Sequence, residues 1–244
     1  AGDATDSATC ADSAYSFTVT KNVDATYNFT VTQTDRASNA STSTAQQWVR
    51  DIVSPSAPTI TSPAASPTYT NGSNLTISGT CENATTVALA GSATDSATCA
   101  SSAYSFTVTK NVDATYNFTV TQTDRASNVS TSTAQQWIRD AVSPSAPTIT
   151  SPASSPAYTN GSNLTISGTC ENATTVALAG SATDSATCAS SAYSFTVTKN
   201  VDATYNFTVT QTDRAGNAST STAQQWVRDT VSPSAPTITL PASS

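Results

Sequence analysis

The residues with the clearest chemical potential are cysteines that return at a fixed spacing. Cys81 and Cys99 lie 18 residues apart, Cys170 and Cys188 repeat the pair, and Cys10 corresponds to Cys99. Such a pair could serve catalysis, bind a metal or form a scaffolding disulfide. The chain has no histidine and no CxxC motif, and two cysteines cannot supply the four soft ligands of a zinc site. We interpret both pairs as structural disulfides and Cys10 as a cysteine left unpaired by truncation.

A disulfide would matter for both the stability and the location of this protein. Closing a loop of this length contributes about 3 kcal/mol in the chain-entropy model. Such a contribution is large for a polar module whose total stability is roughly 5–10 kcal/mol. Disulfides persist in oxidising compartments. The sequence therefore predicts an extracellular or cell-surface location.

Other reactive groups do not combine into a familiar catalytic set. Serines are abundant, but a serine nucleophile needs a base, and without histidine only Lys110 or Lys199 could serve. The carboxylates of one repeat lie mostly in turn-like segments, where Asp usually accepts hydrogen bonds from its own backbone; they are Glu82, Asp95, Asp113, Asp124 and Asp140. Tandem near-copies also suit a spacer better than a row of active sites. The sequence predicts that the protein is not an enzyme.

An internal repeat organises the whole chain. Trp48, Trp137 and Trp226 lie 89 residues apart, and residues 55–143 differ from 144–232 at only six positions. The prolines of the recurring SPSAP segment cannot continue a central strand, so they mark the module boundaries. We predict a partial module at 1–54 that lacks its first strands, complete modules at 55–143 and 144–232, and the start of a further module at 233–244.

Within each repeat the apolar residues alternate with polar ones, which is typical of half-buried antiparallel strands. Turn signals such as TNGSN and DRASN separate about seven short strands. This pattern predicts an all-β fold of tandem two-sheet β-sandwich modules, each of about seven strands. The inward-facing residues that we expect to form each core are, in the module of residues 55–143, Leu75, Ile77, Val87, Tyr104, Phe106, Tyr116, Phe118 and Val120.

Three segments of the repeat resemble the bacterial immunoglobulin-like (Big-type) tandem repeats of large surface adhesins. They are TISGTCENATTV, FTVTQTDRAGNAS and RDTVSPSAPTI, which match the family in order and at this period. The resemblance implies an exported, non-catalytic rod. The chain departs from the immunoglobulin disulfide pattern, because Phe118 and Phe207 occupy the expected cysteine position of strand F. Tyr116 and Tyr205 fit the tyrosine-corner position at the start of that strand.

The resemblance also suggests calcium binding, because related adhesins can carry Ca²⁺ at module junctions. The weak candidates are Asp124 and Asp213 in the TDRA turn and Asp140 and Asp229, which precede the SPSAP segment that links one module to the next. Ca²⁺ takes six to eight oxygen ligands, whereas neighbouring arginines, Arg125 and Arg139, could pair with these carboxylates instead. We expect no other cofactor.

Composition narrows the possible partners. A net charge of −7 with nine scattered basic residues disfavours nucleic acid, and no apolar stretch is long enough to span a membrane. We predict a stiff stalk or fibre of a bacterial surface adhesin or appendage, whose partners are adjacent modules of the same chain. One alternative is a self-assembling extracellular filament or sheath whose partners are other copies of the chain. Another is a glycan- or ligand-binding module with an aromatic platform made by Trp137, Trp226, Tyr69 and Tyr158.

Overall fold

The computed structural model describes residues 2–239, and every regular element in that range is a β-strand. The first four strands are β1 (Ala25–Phe29), β2 (Thr32–Thr34), β3 (Ala40–Thr42) and β4 (Gln46–Arg50). Residues 55–143 contain β5 (Thr68–Thr70), β6 (Asn74–Thr80), β7 (Thr86–Gly91), β8 (Asp95–Thr98), β9 (Ala103–Thr109), β10 (Ala114–Thr123), β11 (Val129–Thr131) and β12 (Gln135–Arg139). Their counterparts in residues 144–232 are β13 (Ala157–Thr159), β14 (Asn163–Thr169), β15 (Thr175–Gly180), β16 (Asp184–Thr187), β17 (Ala192–Thr198), β18 (Ala203–Thr212), β19 (Ala218–Thr220) and β20 (Gln224–Arg228). No described residue belongs to a helix that could cross a membrane.

The described residues divide into two compact units. One unit holds the residues up to 66 together with 74–109 and 116–136, and the other holds 67–73, 110–115 and the residues from 137 onward. Residues 144–232 therefore lie entirely within the second unit, where all of their strand pairings can be followed.

Residues 144–232 form an immunoglobulin-like β-sandwich. One sheet has the strand order β13-β20-β18-β15-β16, with β19 also paired to β18, and the second sheet consists of β14 and β17. All of these pairs are antiparallel except β13 with β20, which is parallel. The strands of residues 55–143 show the corresponding antiparallel pairs, β6 with β9 and β7 with both β8 and β10.

The core lies between the two sheets because alternate residues of each strand face inward. The buried cluster of residues 144–232 draws on β14, β15, β17, β18 and β20 and consists of Leu164, Ile166, Cys170, Val176, Leu178, Cys188, Tyr193, Phe195, Val197, Phe207, Val209 and Trp226. In residues 55–143 the residues named from the alternation are likewise buried, apart from Tyr116, which is half-buried. The neighbouring polar residues of β9 and β17 are exposed, as period-two geometry requires.

The segment that enters each module runs along the β14 or β6 strand. Thr148 N–H donates to Thr169 O (3.1 Å), and Tyr193 OH donates to Thr148 O (2.8 Å). A Cβ added at Gly168 would lie 1.8 Å from Thr148 O, so only glycine permits this close approach. The entering segment is thus part of the sandwich, although it forms no regular strand before β13.

Residues 2–54 have fewer strand pairings, and β1 pairs with β4 and β2 with β3. Their apolar side chains are more accessible than the equivalents further along the chain: Trp48 is 38% exposed, whereas Trp137 is 0% exposed. A cleft of about 350 Å³ is lined by Phe17, Val19, Phe29 and their neighbours.

Candidate functional site

The groups that could have supported hydrolytic chemistry are engaged elsewhere. Lys199 Nζ donates to the backbone oxygen of Ser181 (2.6 Å) and lies over the Tyr205 ring, so it does not activate a serine hydroxyl. Asp184 accepts a hydrogen bond from the Ser185 N–H, and Asp202 pairs with Arg228. Asp184 therefore serves a local backbone contact at the start of β16, and Asp202 serves an ion pair.

The four aspartates considered for calcium already accept hydrogen bonds from N–H groups. Asp213 Oδ1 accepts from Asn217 N and Oδ2 from Asn217 Nδ2, each at 2.9 Å, and Asp124 is bonded to Asn128 in the same way. Asp140 and Asp229 accept from the N–H groups two residues later. The Asn128 hydrogen bonds lower the pKa of Asp124 below its usual value. In residues 2–239 no group of three His, Cys, Asp or Glu side chains could hold a metal ion.

The arginine that was expected near these aspartates has a different partner. Arg139 forms an ion pair with Asp113, and Arg228 forms the same pair with Asp202. In both cases the acid lies before a long strand, β10 or β18, and the base ends the neighbouring β12 or β20. The pairs therefore connect strand ends, and Arg139 does not neutralise Asp124 or Asp140.

The cysteines form two disulfides within their repeats. Cys81 is bonded to Cys99 and Cys170 to Cys188, while Cys10 is free and exposed. The bonded cysteines are buried and join the residue after β6 or β14 to the residue after β8 or β16. Each disulfide thus fixes a loop, CENAT, at the end of the module where the linker enters.

That loop holds the linker. Glu171, next to Cys170, accepts a hydrogen bond from Ser145 N–H through its Oε1 (2.6 Å). Gln211 Nε2 donates to Ser145 O, and Ser219 Oγ donates to the same oxygen (3.0 Å). We call Glu171, Gln211 and Ser219 the linker clamp. The clamp of the preceding repeat consists of Glu82, Gln122 and Ser130 around Ser56.

Gln211 is the centre of the clamp and is only 1% exposed. Its Oε1 accepts from Glu171 N–H (2.9 Å), and its Nε2 binds the linker carbonyl. Both ends of the amide are therefore satisfied, which a buried polar side chain requires. In the other clamp, the hydrogen bond from the Ser56 backbone N–H holds the pKa of Glu82 below its usual value.

A second contact holds the residue that precedes the linker. Asn217 Nδ2 donates to Asp140 O (2.9 Å), and Asn128 Nδ2 donates to Asp51 O (3.2 Å). Asp213 orients Asn217 by accepting from its backbone and side chain. On the same turn, Arg214 lies over the Tyr69 ring, 5.5 Å from its centre. Each linker is therefore fixed on both sides of its first proline.

The aromatic platform considered from the sequence does not form. Trp137 and Trp226 are 0% exposed, and each indole N–H donates to a threonine hydroxyl (2.9 Å), Thr70 or Thr159. They are core residues with a satisfied polar atom. Tyr158 is 72% exposed, and the guanidinium of Arg214 lies over the ring of Tyr69.

Sequence reasoning missed the clamp, although one signal pointed to it. Gln122 follows Phe118 and Val120 at the same period-two spacing, so it lies on the inward face of β10. A glutamine on an inward-facing position needs buried partners. The linker carbonyl of Ser56 and the N–H of Glu82 are those partners.

Comparison with known proteins identifies no family for this chain. No protein-family model matches the chain, and no curated protein matches it significantly. Similar solved structures include the fibronectin(III)-like modules of Clostridium thermocellum CbhA, at 19% identity over 71% of this chain and 95% of theirs, with a TM-score of 0.49. The D00-D0 domain of intimin is 14% identical over 70% of this chain and 99% of its own, with a TM-score of 0.29. The BSP domain of a biofilm-associated protein is 19% identical over 72% of this chain and 30% of its own, with a TM-score of 0.26.

Proposed function

We propose that this chain is a non-catalytic, extracellular array of immunoglobulin-like modules that acts as a stiff stalk or fibre of a bacterial surface adhesin or appendage. The modules are residues 55–143 and 144–232, with parts of two further modules at 1–54 and 233–244. The observation that carries the proposal is the linker clamp together with the asparagine contact before it. A spacer needs defined junctions more than it needs a pocket, and the buried side chains of Gln211 and Asn217 bind the linker and the residue before it.

The clamp restricts the linker at successive points. Asp140 O is held by Asn217, and Ser145 is held through both its N–H and its C=O. Pro144 lies between these points and has a fixed φ angle and no N–H to satisfy. A linker held in this way should resist bending, unlike a Gly/Ser linker that behaves as a flexible coil. Length would then increase in proportion to the number of modules.

The disulfides support an oxidising, extracellular setting, and they serve the same end of the module. Cys170 immediately precedes Glu171 of the clamp, and Cys188 O accepts a hydrogen bond from Ala173 N–H of the CENAT loop. Cross-linking this loop keeps the clamp in place when the stalk is under load. An oxidising compartment would therefore be required for full stiffness.

Surface display tests the proposed role directly. The chain, alone or lengthened by one or two further copies of residues 144–232 inserted after residue 232, is placed between a membrane anchor and a fluorescent tag, and the height of the tag above the membrane is measured. We expect roughly 30–40 Å per added module, the length of a module with strands of this size. The control is a Gly/Ser segment of equal residue number, whose height should grow only as the square root of its length. Square-root growth for the array as well would refute the stalk.

The two alternatives have unequal support. A ligand-binding module would need an exposed platform, and the buried tryptophans remove it. A self-assembling filament would need a surface on which copies pair, and the edges of β9 and β17 that have no partner strand within residues 2–239 support this alternative.

A further inference from the structure

Each complete module has one long strand with an open edge. β17 pairs with β14 only, and β9 pairs with β6 only, in residues 2–239. Lys199 N–H donates to Ser162 O and Cys170 N–H donates to Ser191 O, which fixes the direction of the ladder. By antiparallel alternation, Tyr193, Phe195 and Val197 hydrogen-bond to β14. The backbone N–H and C=O groups of Ser194 and Thr196 therefore face the open edge, as do those of Ser105 and Thr107.

The other edges of the module are short. β16 has four residues and begins with Asp184, and β13 has three residues. Short strands and charged residues are devices that protect sheet edges from pairing. The β17 edge has neither, because its seven residues, AYSFTVT, contain no charge and no proline. Lys199 at its end is held by Ser181 O and the Tyr205 ring.

We propose that β9 and β17 pair, edge to edge, with the same strands of a second copy of this chain. An open row of N–H and C=O groups is satisfied by another extended backbone. A second copy supplies such a backbone, because β9 and β17 carry the same seven residues, AYSFTVT, in every copy of the chain.

The outward-facing side chains of β9 and β17 can also pack against the same side chains of a second copy. The outward residues of β17 are small and hydroxylated, and this chain already joins antiparallel strands through such groups. Thr210 Oγ1 lies 2.9 Å from Thr220 Oγ1, and Thr198 Oγ1 donates to Asn163 Oδ1 (2.8 Å). Threonine pairs across an antiparallel interface stabilise it. Like charges, which would oppose a self-pair, are absent from both edges.

Sedimentation equilibrium of the full chain tests this proposal, with Cys10→Ser in every sample to exclude disulfide-linked dimers. The test variant is Thr107→Pro with Thr196→Pro, which removes edge N–H groups without breaking a bond to β6 or β14. The matched control is Thr107→Val with Thr196→Val, which keeps the N–H groups and favours strand. We expect the parent and the valine variant to associate between 1 and about 200 µM, and the proline variant to associate at least tenfold more weakly.

A second pair of variants covers the case in which proline unfolds a module. Thr107→Lys with Thr196→Lys puts a charge on each edge, whereas Thr76→Lys with Thr165→Lys puts the same charge on the directly paired inner strand. Only the edge variant should lose association. The proposal is overturned if the parent stays monomeric at the highest concentration, if the edge variants associate like their controls, or if the valine variant loses association too. The stalk does not depend on this result, because linker stiffness is measured on the single chain.

Discussion

At the scale of single residues, the molecule relies on a few buried polar side chains whose hydrogen bonds are complete. Gln211 hydrogen-bonds to both the CENAT loop and the linker, and Asn217 in the TDRA turn hydrogen-bonds to the residue before the linker. A buried group that loses its partner costs about 1–3 kcal/mol. Substitutions at these positions should therefore act on the junction as well as on stability.

Replacing Gln211 by leucine should destabilise residues 144–232 by about 1–3 kcal/mol, because Glu171 N–H loses its acceptor and Ser145 O loses one donor. Denaturation by urea, followed by tryptophan fluorescence, measures the change. Gln33→Leu is the matched control, since Gln33 occupies the same repeat position but is exposed. An equal effect of both substitutions would show that the amide has no special role at residue 211.

Alkaline pH should weaken both sandwiches through Tyr104 and Tyr193. Burial raises the pKa of each hydroxyl to about 12, whereas an unfolded tyrosine titrates near 10. The folded state therefore holds more protons between these values, so stability should be constant below pH 10 and fall as the pH rises towards 12. Melting temperatures from pH 8 to 11.5 measure this. Tyr104→Phe with Tyr193→Phe should flatten the alkaline decline, and an unchanged slope would show that other groups cause it.

At the scale of strands and loops, the same end of the sandwich carries the disulfide and the docked entering segment. Cys170 follows β14, and Gly168 within that strand allows Thr148 to approach. Packing, the disulfide and linker binding therefore meet in this region. A substitution in the loop should weaken the linker contacts before it weakens the packing of the rest of the core.

Removing one disulfide, by Cys170→Ser with Cys188→Ser, should cost about 3 kcal/mol and expose Ser145 N–H to hydrogen exchange. Exchange mass spectrometry can separate the two linkers, because peptides that include Ala65 and Ser154 differ in mass. The linker around Ser56, beside the intact Cys81–Cys99 disulfide, is the internal control. Equal exchange at both linkers would contradict the coupling of disulfide and clamp.

Truncating Phe118 to alanine should cost about 3–5 kcal/mol, because its side chain is fully buried. The counterpart Phe29→Ala should cost much less, since Phe29 is only half-buried. Calorimetry of both variants measures the difference. A module that melts unchanged after Phe118→Ala would contradict the assignment of the inward face.

The elements were more predictable than the contacts between them. Alternation along β10 was enough to place Phe118 and Val120 inside, because a strand has only two faces. The same alternation placed Tyr116 inside, yet it is half-buried; its counterpart Tyr205 directs its hydroxyl to Val201 O at the strand start. The inward position of this glutamine was predictable, but its partner was not, because Ser145 and Gln211 lie 66 residues apart and only the three-dimensional path of the linker brings them together.

Across the whole molecule, we propose that successive modules are joined by fixed junctions. Local contacts support this proposal, namely the clamp at Ser145 and Ser56 and the asparagine bonds to Asp140 and Asp51. Stiffness in a tandem array is the product of such repeated local restraints. The proposed pairing of the open strand edges concerns a different property, the number of chains in one assembly.

Small-angle X-ray scattering of the single chain at low concentration tests whether the junctions are fixed. The parent is compared with a variant that carries Gln122→Leu, Asn128→Asp, Gln211→Leu and Asn217→Asp, and with the control Gln33→Leu with Asn39→Asp. We predict that one arrangement fits the parent and the control, whereas the variant needs a broad ensemble with a wider distribution of distances. A parent profile that already needs the same broad ensemble as the variant would contradict the account.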